Sequence, residues 1–78
     1  MNMKLTPFER QAIQGIKDSD YYTGPDSPVW SWSANNFKIA AQFSGVISSL
    51  VKKGFVSSNG TGDDAEIALT KAGIEASK

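Results

Sequence analysis

The stretch FSGVISSLVKKGFV, residues 43–56, contains the change from helix to strand on which the prediction of the fold depends. Its apolar side chains recur at the intervals of a core-facing helix: Phe43, Val46, Ile47, Leu50 and Val51. Gly54 is predicted to end this helix in a left-handed conformation, and Lys52 and Lys53 suit the negative end of a helix dipole. The sequence therefore predicts a helix over residues 42–53, followed directly by a strand over residues 55–58.

The segment after this strand is predicted to complete a β-hairpin and to form a final helix. A second strand is predicted over residues 66–69, and the loop before it contains two glycine-bearing pairs, Asn59-Gly60 and Gly62-Asp63. Both pairs suit a hairpin turn, and the midpoint between the strands favours the second, although the sequence leaves the turn undecided. Thr70 is predicted to cap a short last helix, KAGIEASK, residues 71–78.

Residues 6–17 are predicted to form the first helix. Thr6 and Glu9 have the spacing of a capping box, and Pro7 falls at the first helical position, where its missing N–H group costs nothing. The apolar side chains on the face predicted to enter the core are Phe8, Ala12, Ile13 and Ile16.

The segment between these two predicted helices combines turn-forming residues with aromatic ones. Residues 18–28, DSDYYTGPDSP, have the composition of a loop. VWSW, residues 29–32, is predicted to form a short strand with Trp30 and Trp32 on one face. Ser33 is then predicted to cap a second helix, whose apolar positions are Ala34, Phe37 and Ala40.

The composition indicates one small domain spanning residues 1–78 and narrows its chemistry. The chain has no cysteine and no histidine, so it offers neither a thiolate metal site nor the commonest general base and zinc ligand. No run approaches the ~18 apolar residues of a membrane span, and the start of the chain lacks the apolar segment of a signal peptide. We therefore expect a cytoplasmic protein with no membrane partner.

Most carboxylates fall in two groups, neither of which has the pattern of a reaction centre. The three aspartates within residues 18–26 lack the ligand order and the closing glutamate of an EF-hand loop. The three acids within residues 63–66 lie on a loop tip, where catalytic groups would be poorly positioned. We therefore expect no enzymatic activity, no catalytic residue, no cofactor and no metal.

Charge is distributed unevenly along the chain, although the net charge is zero. Residues 33–62 contain three lysines, Lys38, Lys52 and Lys53, and no acidic residue. The neutral total argues against a generic polyanion binder, whereas the acid-free segment offers specific contacts to phosphates.

The predicted order of elements is helix, strand, helix, helix, hairpin, helix, which is a mainly α domain with a small β-sheet (α+β). Together with two sequence motifs, this order resembles a winged helix-turn-helix DNA-binding domain of the MarR-like type. Leu50 and Gly54 match the family's L-x-x-x-G at the end of the recognition helix, and LTKAG, residues 69–73, matches the LT-x-x-G that closes the wing. The resemblance covers residues 33–75 and implies a small compact member, a kind often found in phage and mobile-element proteins.

The resemblance implies a transcriptional regulator that binds double-stranded DNA with the 42–53 helix in the major groove. Glutamine can pair with adenine, serines bond to bases or phosphates, and lysines contact phosphates. The residues predicted to contact DNA are Lys38, Gln42, Ser44, Ser48, Ser49, Lys52, Asn59 and Thr61. Because so few cations are available, useful affinity would need a partner protein or two copies, as a weak homodimer, on paired half-sites.

A second hypothesis is a protein-interaction module on the same scaffold, an adaptor or inhibitor that does not bind DNA. Its contact surface would be either the acidic hairpin loop or the aromatic region of Tyr21, Tyr22, Trp30 and Trp32. We expect the tryptophans to fill the core instead, because so short a chain has few other large side chains to bury. Gly45 either allows a close approach by DNA or avoids a clash with the second helix, and the second reason is favoured.

Overall fold

The computed structural model of the protein describes residues 5–60 and 64–77, which form a small α+β domain. Its elements, in chain order, are α1 (Pro7–Asp18), β1 (Pro28–Trp30), α2 (Ser31–Ala34), α3 (Ala40–Lys52), β2 (Val56–Asn59), β3 (Glu66–Leu69) and α4 (Lys71–Ala76). The predicted order of elements and the α+β class are confirmed. Within the described ranges, no helix is both long enough and apolar enough to cross a membrane.

The start of α1 has the predicted capping box. The Thr6 hydroxyl accepts a hydrogen bond from the Glu9 backbone N–H group (3.1 Å), and the Glu9 carboxylate accepts one from the Thr6 N–H group (2.8 Å). The apolar residues of α1 that enter the core are Ala12, Ile13 and Ile16. The prediction that Phe8 joins them is wrong, because this side chain is 52% exposed. Each residue turns a helix by about 100°, and this rotation puts Glu9 rather than Phe8 over the core.

The segment between α1 and α3 differs from the prediction. β1 ends at Trp30, and Trp32 lies in α2, so the two tryptophans do not share the face of a strand. Ser33 lies inside α2 instead of capping a longer helix, and this one-turn helix ends at Ala34. Phe37 therefore lies in the connection to α3.

A local hydrogen bond explains why α2 stops. The side-chain oxygen of Asn35 accepts a hydrogen bond from the Phe37 N–H group (2.9 Å), and such a bond offers the backbone an alternative to the helix. The next residue is tied to α1, because the Asn36 side chain donates to the Gln11 carbonyl (3.1 Å) and the Gln11 side chain donates back (3.3 Å). These bonds hold the connection in a fixed place before α3.

Gly54 ends α3 in a left-handed conformation, as predicted, and the helix end is a Schellman motif. Gly54 has φ +81°, its N–H group donates to the Val51 carbonyl (3.0 Å), and the Phe55 N–H group donates to the Leu50 carbonyl (3.0 Å). Leu50 and Phe55 are both buried, which supplies the apolar contact that accompanies this motif. Of the predicted core positions of α3, only Val51 is exposed.

The sheet is antiparallel, with the strand order β1-β3-β2. Val29 pairs with Ile67, and Leu69 pairs with Val56, so β3 lies between the other two strands. The hairpin pairing ends at Asn59 opposite Glu66, and Gly60 beyond it has φ +95°. The alternative turn pair, Gly62-Asp63, lies outside the described residues. Thr70 caps α4, as predicted, by accepting a hydrogen bond from the Gly73 N–H group (3.1 Å).

The core lies between the sheet and α1, α2 and α3, and it contains no tryptophan among the described residues. Its members are Leu5, Ala12, Ile13, Ile16, Val29, Ala34, Phe43, Ile47, Leu50, Phe55, Val56, Ile67 and Leu69. The prediction that the tryptophans fill the core is wrong, because Trp30 is 38% and Trp32 is 53% exposed. Successive strand residues point to opposite faces, so the burial of Val29 turns Trp30 outward.

Candidate functional site

Helix α3 presents a long polar face to solvent. Its inner side is anchored by Phe43, Ile47 and Leu50, which are buried in the core. The exposed residues of its outer side are Ala41, Gln42, Ser44, Gly45, Ser48, Val51 and Lys52. Four of the eight residues predicted to contact DNA are thus exposed on α3, and the helix contains no acidic residue.

The other predicted contact residues occupy different places. Lys38 is exposed in the connection before α3, and Asn59 is exposed at the end of β2. Ser49 is half-buried, and its hydroxyl donates a hydrogen bond to a carboxylate oxygen of Glu9 (2.8 Å). Thr61 lies outside the described residues. The structure therefore holds Ser49 in an internal bond and leaves Lys38 beside the start of α3.

A buried carboxylate joins α1 to the end of α3. The Glu9 side chain is 3% exposed, and Lys53 Nζ lies 2.7 Å from its Oε1 atom. The same carboxylate also accepts hydrogen bonds from the Thr6 backbone and from Ser49. Burial acts to raise the pKa of Glu9, but the hydrogen bonds from Lys53, Thr6 and Ser49 and the positive charge of Lys53 outweigh it, and the pKa lies below its usual value.

This ion pair determines which charged side chains remain exposed beside α3. The Glu9 carboxylate beside the helix is buried and paired with Lys53, so it does not oppose an anion on the outer face. Lys53 is likewise held by Glu9, which leaves Lys52 as the exposed lysine of the last turn. Sequence reasoning identified both Glu9, in the capping box, and Lys53, at the helix end, but nothing local signals that residues 44 positions apart meet.

A shallow cleft of about 310 Å³ opens beside the exposed face, between α3 and the first turn of α1. Its lining residues are Thr6, Phe8, Glu9, Gln42, Gly45, Val46 and Ser49. A Cβ atom built at Gly45 would have no atom within 4 Å outside its own helix. The favoured explanation for Gly45, a clash avoided with the second helix, is therefore wrong. The cleft itself was not predicted, because Phe8 was assigned to the core.

A second exposed surface is aromatic and lies in the loop after α1 and in α2. The rings of Tyr21 and Trp32 meet edge to face, with centroids 6.0 Å apart, and Tyr21 is 47% exposed. The loop is fixed to α2 by the hydroxyls of Ser19 and Ser33, which lie 2.7 Å apart. Tyr22 instead packs against the core.

The described residues contain no group of three or more acidic side chains placed to hold a metal ion. The comparisons with family models, curated proteins and solved structures give no match to this chain.

Proposed function

We propose that this chain is a small winged helix DNA-binding protein, a regulator of transcription that inserts α3 into the major groove. The observation that carries the proposal is the exposed surface of α3, where Ser44, Ser48 and Lys52 recur at four-residue intervals along one row and Gln42 is exposed on the side that adjoins the first turn of α1. Amide and hydroxyl side chains can bond to base edges, and a lysine can contact a phosphate. An α-helix is the element that B-DNA admits into its major groove.

The architecture supports this proposal. α3 is preceded by a short helix and followed by an antiparallel hairpin, and the strand order β1-β3-β2 places that hairpin at one edge of a small sheet. The arrangement suits a helix-turn-helix formed by α2, residues 35–39 and α3, with β2 and β3 as the wing. α2 is only four residues long, which is shorter than the sequence predicts.

The motifs of the family resemblance have physical roles in this fold. Leu50 is fully buried, and Gly54 ends α3 with positive φ. Thr70 caps α4 and also donates its hydroxyl to the Gly54 carbonyl (2.8 Å), which ties the end of α3 to the end of the hairpin. A Cβ atom on Gly73 would overlap the Phe55 carbonyl oxygen. Both motifs thus fix the hairpin against α3.

A titration with duplex DNA tests the proposal. On addition of a mixed-sequence 20-base-pair duplex at low salt, we expect NMR chemical-shift changes concentrated in residues 38–52. Ser48→Glu should abolish binding with little change in thermal stability, because the added carboxylate opposes phosphates. Ala72→Glu adds the same charge to an exposed position of α4 and is the matched control.

Two results would count against the groove assignment. One is a set of shift changes that avoids α3, and the other is undiminished DNA binding by Ser48→Glu.

A protein-interaction module is the second candidate, and the aromatic surface favours it. Tyr21, in the loop after α1, and Trp32, in α2, leave two large rings exposed, and the same loop carries Asp20 and Asp26. Aromatic faces and carboxylates both attract cations, so the fitting partner is a protein segment rich in arginine. Under this hypothesis Tyr21→Ala and Trp32→Ala would weaken binding to an arginine-rich peptide, and Ser48→Glu would not.

A further inference from the structure

In the cleft beside α3, an apolar hollow lies next to the side-chain amide of Gln42. Its apolar lining comes from Phe8, Val46 and the backbone of Gly45, and Gln42 stands at its edge, one helical turn before Val46. Among the described residues, the Gln42 amide makes no hydrogen bond. Gly45 leaves the hollow open, because no side chain fills it.

The polar side chains of the cleft other than Gln42 already take part in hydrogen bonds with neighbouring groups. Glu9 accepts hydrogen bonds from Thr6, Ser49 and Lys53, and the hydroxyls of Thr6 and Ser49 each make a bond within this group. A ligand that enters the cleft therefore meets carbon atoms on the walls and one available amide at the edge. This combination suits an apolar group that adjoins a hydrogen-bonding edge.

An A·T base pair has that combination in the major groove. Adenine presents the N7 acceptor and the N6 donor that a glutamine amide matches, and thymine presents a C5-methyl group. We infer that the cleft binds the thymine methyl group while Gln42 reads a neighbouring adenine, so that the chain selects DNA sites containing A·T pairs. The inference rests on the proposed function and specifies the ligand of the same site.

Replacing thymine by uracil tests the inference, because it removes the methyl group and leaves the Watson–Crick pairing unchanged. The probes are a non-repeating 20-base-pair A·T duplex and the same duplex with deoxyuridine at every thymidine, compared by fluorescence anisotropy at low salt. We expect the uracil duplex to bind about three- to fivefold more weakly for each methyl group that the cleft buries.

Two variants connect this preference to the cleft, and a third is their control. Gly45→Leu fills the hollow from an open position of α3 and should reduce the thymine-to-uracil ratio to near one. Ala72→Leu adds a leucine to an exposed position of α4, outside both the cleft lining and α3, and should keep the ratio. Phe8→Ser, at a mostly exposed site, should lower the ratio independently of any change in α3.

The outcomes separate the inference from the proposed function. Equal binding of both duplexes would overturn the inference and leave DNA binding in place. A preference for thymine that persists in Gly45→Leu and Phe8→Ser would also overturn it, because the preference would then come from DNA shape rather than from the cleft. Failure to bind any duplex would refute the proposed function itself.

Discussion

Gly45 and Gly73, both in helices, look equivalent in the sequence but differ in their surroundings. Gly45 faces open space, whereas a Cβ atom on Gly73 would overlap the Phe55 carbonyl oxygen and lie 2.7 Å from a methyl carbon of Leu69. The hairpin can approach α4 this closely only because residue 73 has no side chain. Helix propensity favours alanine at both positions, so the packing around each glycine decides whether the substitution to alanine raises or lowers stability.

Alanine substitution of the two glycines should therefore have opposite effects on stability. Gly45→Ala should raise the free energy of unfolding by about 0.5–1 kcal/mol, because alanine loses less backbone entropy in a helix. Gly73→Ala should lower it by about 1–3 kcal/mol, because the overlap forces the hairpin and α4 apart. Urea denaturation of the two variants measures both values. A stabilised Gly73→Ala variant would show that α4 does not pack on Phe55 as described.

At the scale of elements, the features fixed by local chemistry are the ones that the sequence predicted. The capping box of Thr6 and Glu9, the positive φ of Gly54 and the Thr70 cap each depend on residues within a few positions of one another. Such bonds form in the same way wherever the segment lies in the fold, so their spacing is sufficient to predict them.

Features that depend on tertiary contacts could not be predicted in this way. The connection after the second helix is held against α1 by the bonds between Asn36 and Gln11, which are 25 residues apart, whereas the Asn35–Phe37 bond that ends the helix is local and was overlooked. Likewise, the helical periodicity of the apolar residues predicts that Phe8 faces the core, but Glu9, the residue of the capping box, is the one that is buried there. The candidate site is divided in the same manner: the polar face of α3 was predictable, but the cleft and the Glu9–Lys53 pair were not.

The Glu9–Lys53 pair predicts how stability depends on pH. Because the pKa of Glu9 is lower in the folded protein than in the unfolded chain, the ionised carboxylate stabilises the fold above about pH 4.3, the usual glutamate value. This contribution is lost as the pH falls through the lower, folded-state pKa. In urea unfolding between pH 7 and pH 3, Glu9→Gln should be less stable than the parent at pH 7, and the difference should shrink in acid.

The neighbouring lysine provides the control for this pair. Lys53→Met should destabilise the fold by about 1–3 kcal/mol at pH 7, because it leaves a buried carboxylate without its counter-ion. Lys52→Met makes the same change at an exposed position and should have little effect on stability. Equal losses in the two variants would mean that the ion pair does not stabilise the junction of α1 and α3.

Across the whole molecule, the acidic residues are unevenly distributed among the elements. The described acidic residues outside Glu9 are Asp18, Asp20, Asp26, Asp64, Glu66 and Glu75, and none of them lies in α2, α3 or the connection between them. Lys38 and Lys52 stand near the two ends of α3, which spans about 20 Å at 1.5 Å per residue. A neutral chain can therefore still present a weakly positive face to DNA.

The dependence of DNA binding on salt should be shallow. Lys53 is held by Glu9, so the exposed cations near this face are Lys38, Lys52 and, on α1, Arg10. Together they can neutralise about two or three phosphates, which gives a slope of roughly −2 to −3 for log K against log salt at about −0.9 per phosphate. Fluorescence anisotropy between roughly 20 and 200 mM salt measures this slope for one protomer.

Two lysine variants then locate the phosphate contacts, and an aspartate variant tests the position of the hairpin. Lys52→Met should make the slope shallower by about one unit, whereas Lys53→Met should leave it nearly unchanged as long as the variant remains folded. Asp64→Asn should strengthen binding if the hairpin lies over the DNA backbone, because it removes a charge that repels phosphates. A slope near zero would contradict contact between α3 and the DNA backbone. A slope steeper than about −6 would require two copies on the duplex, since one face with three cations cannot release that many counterions.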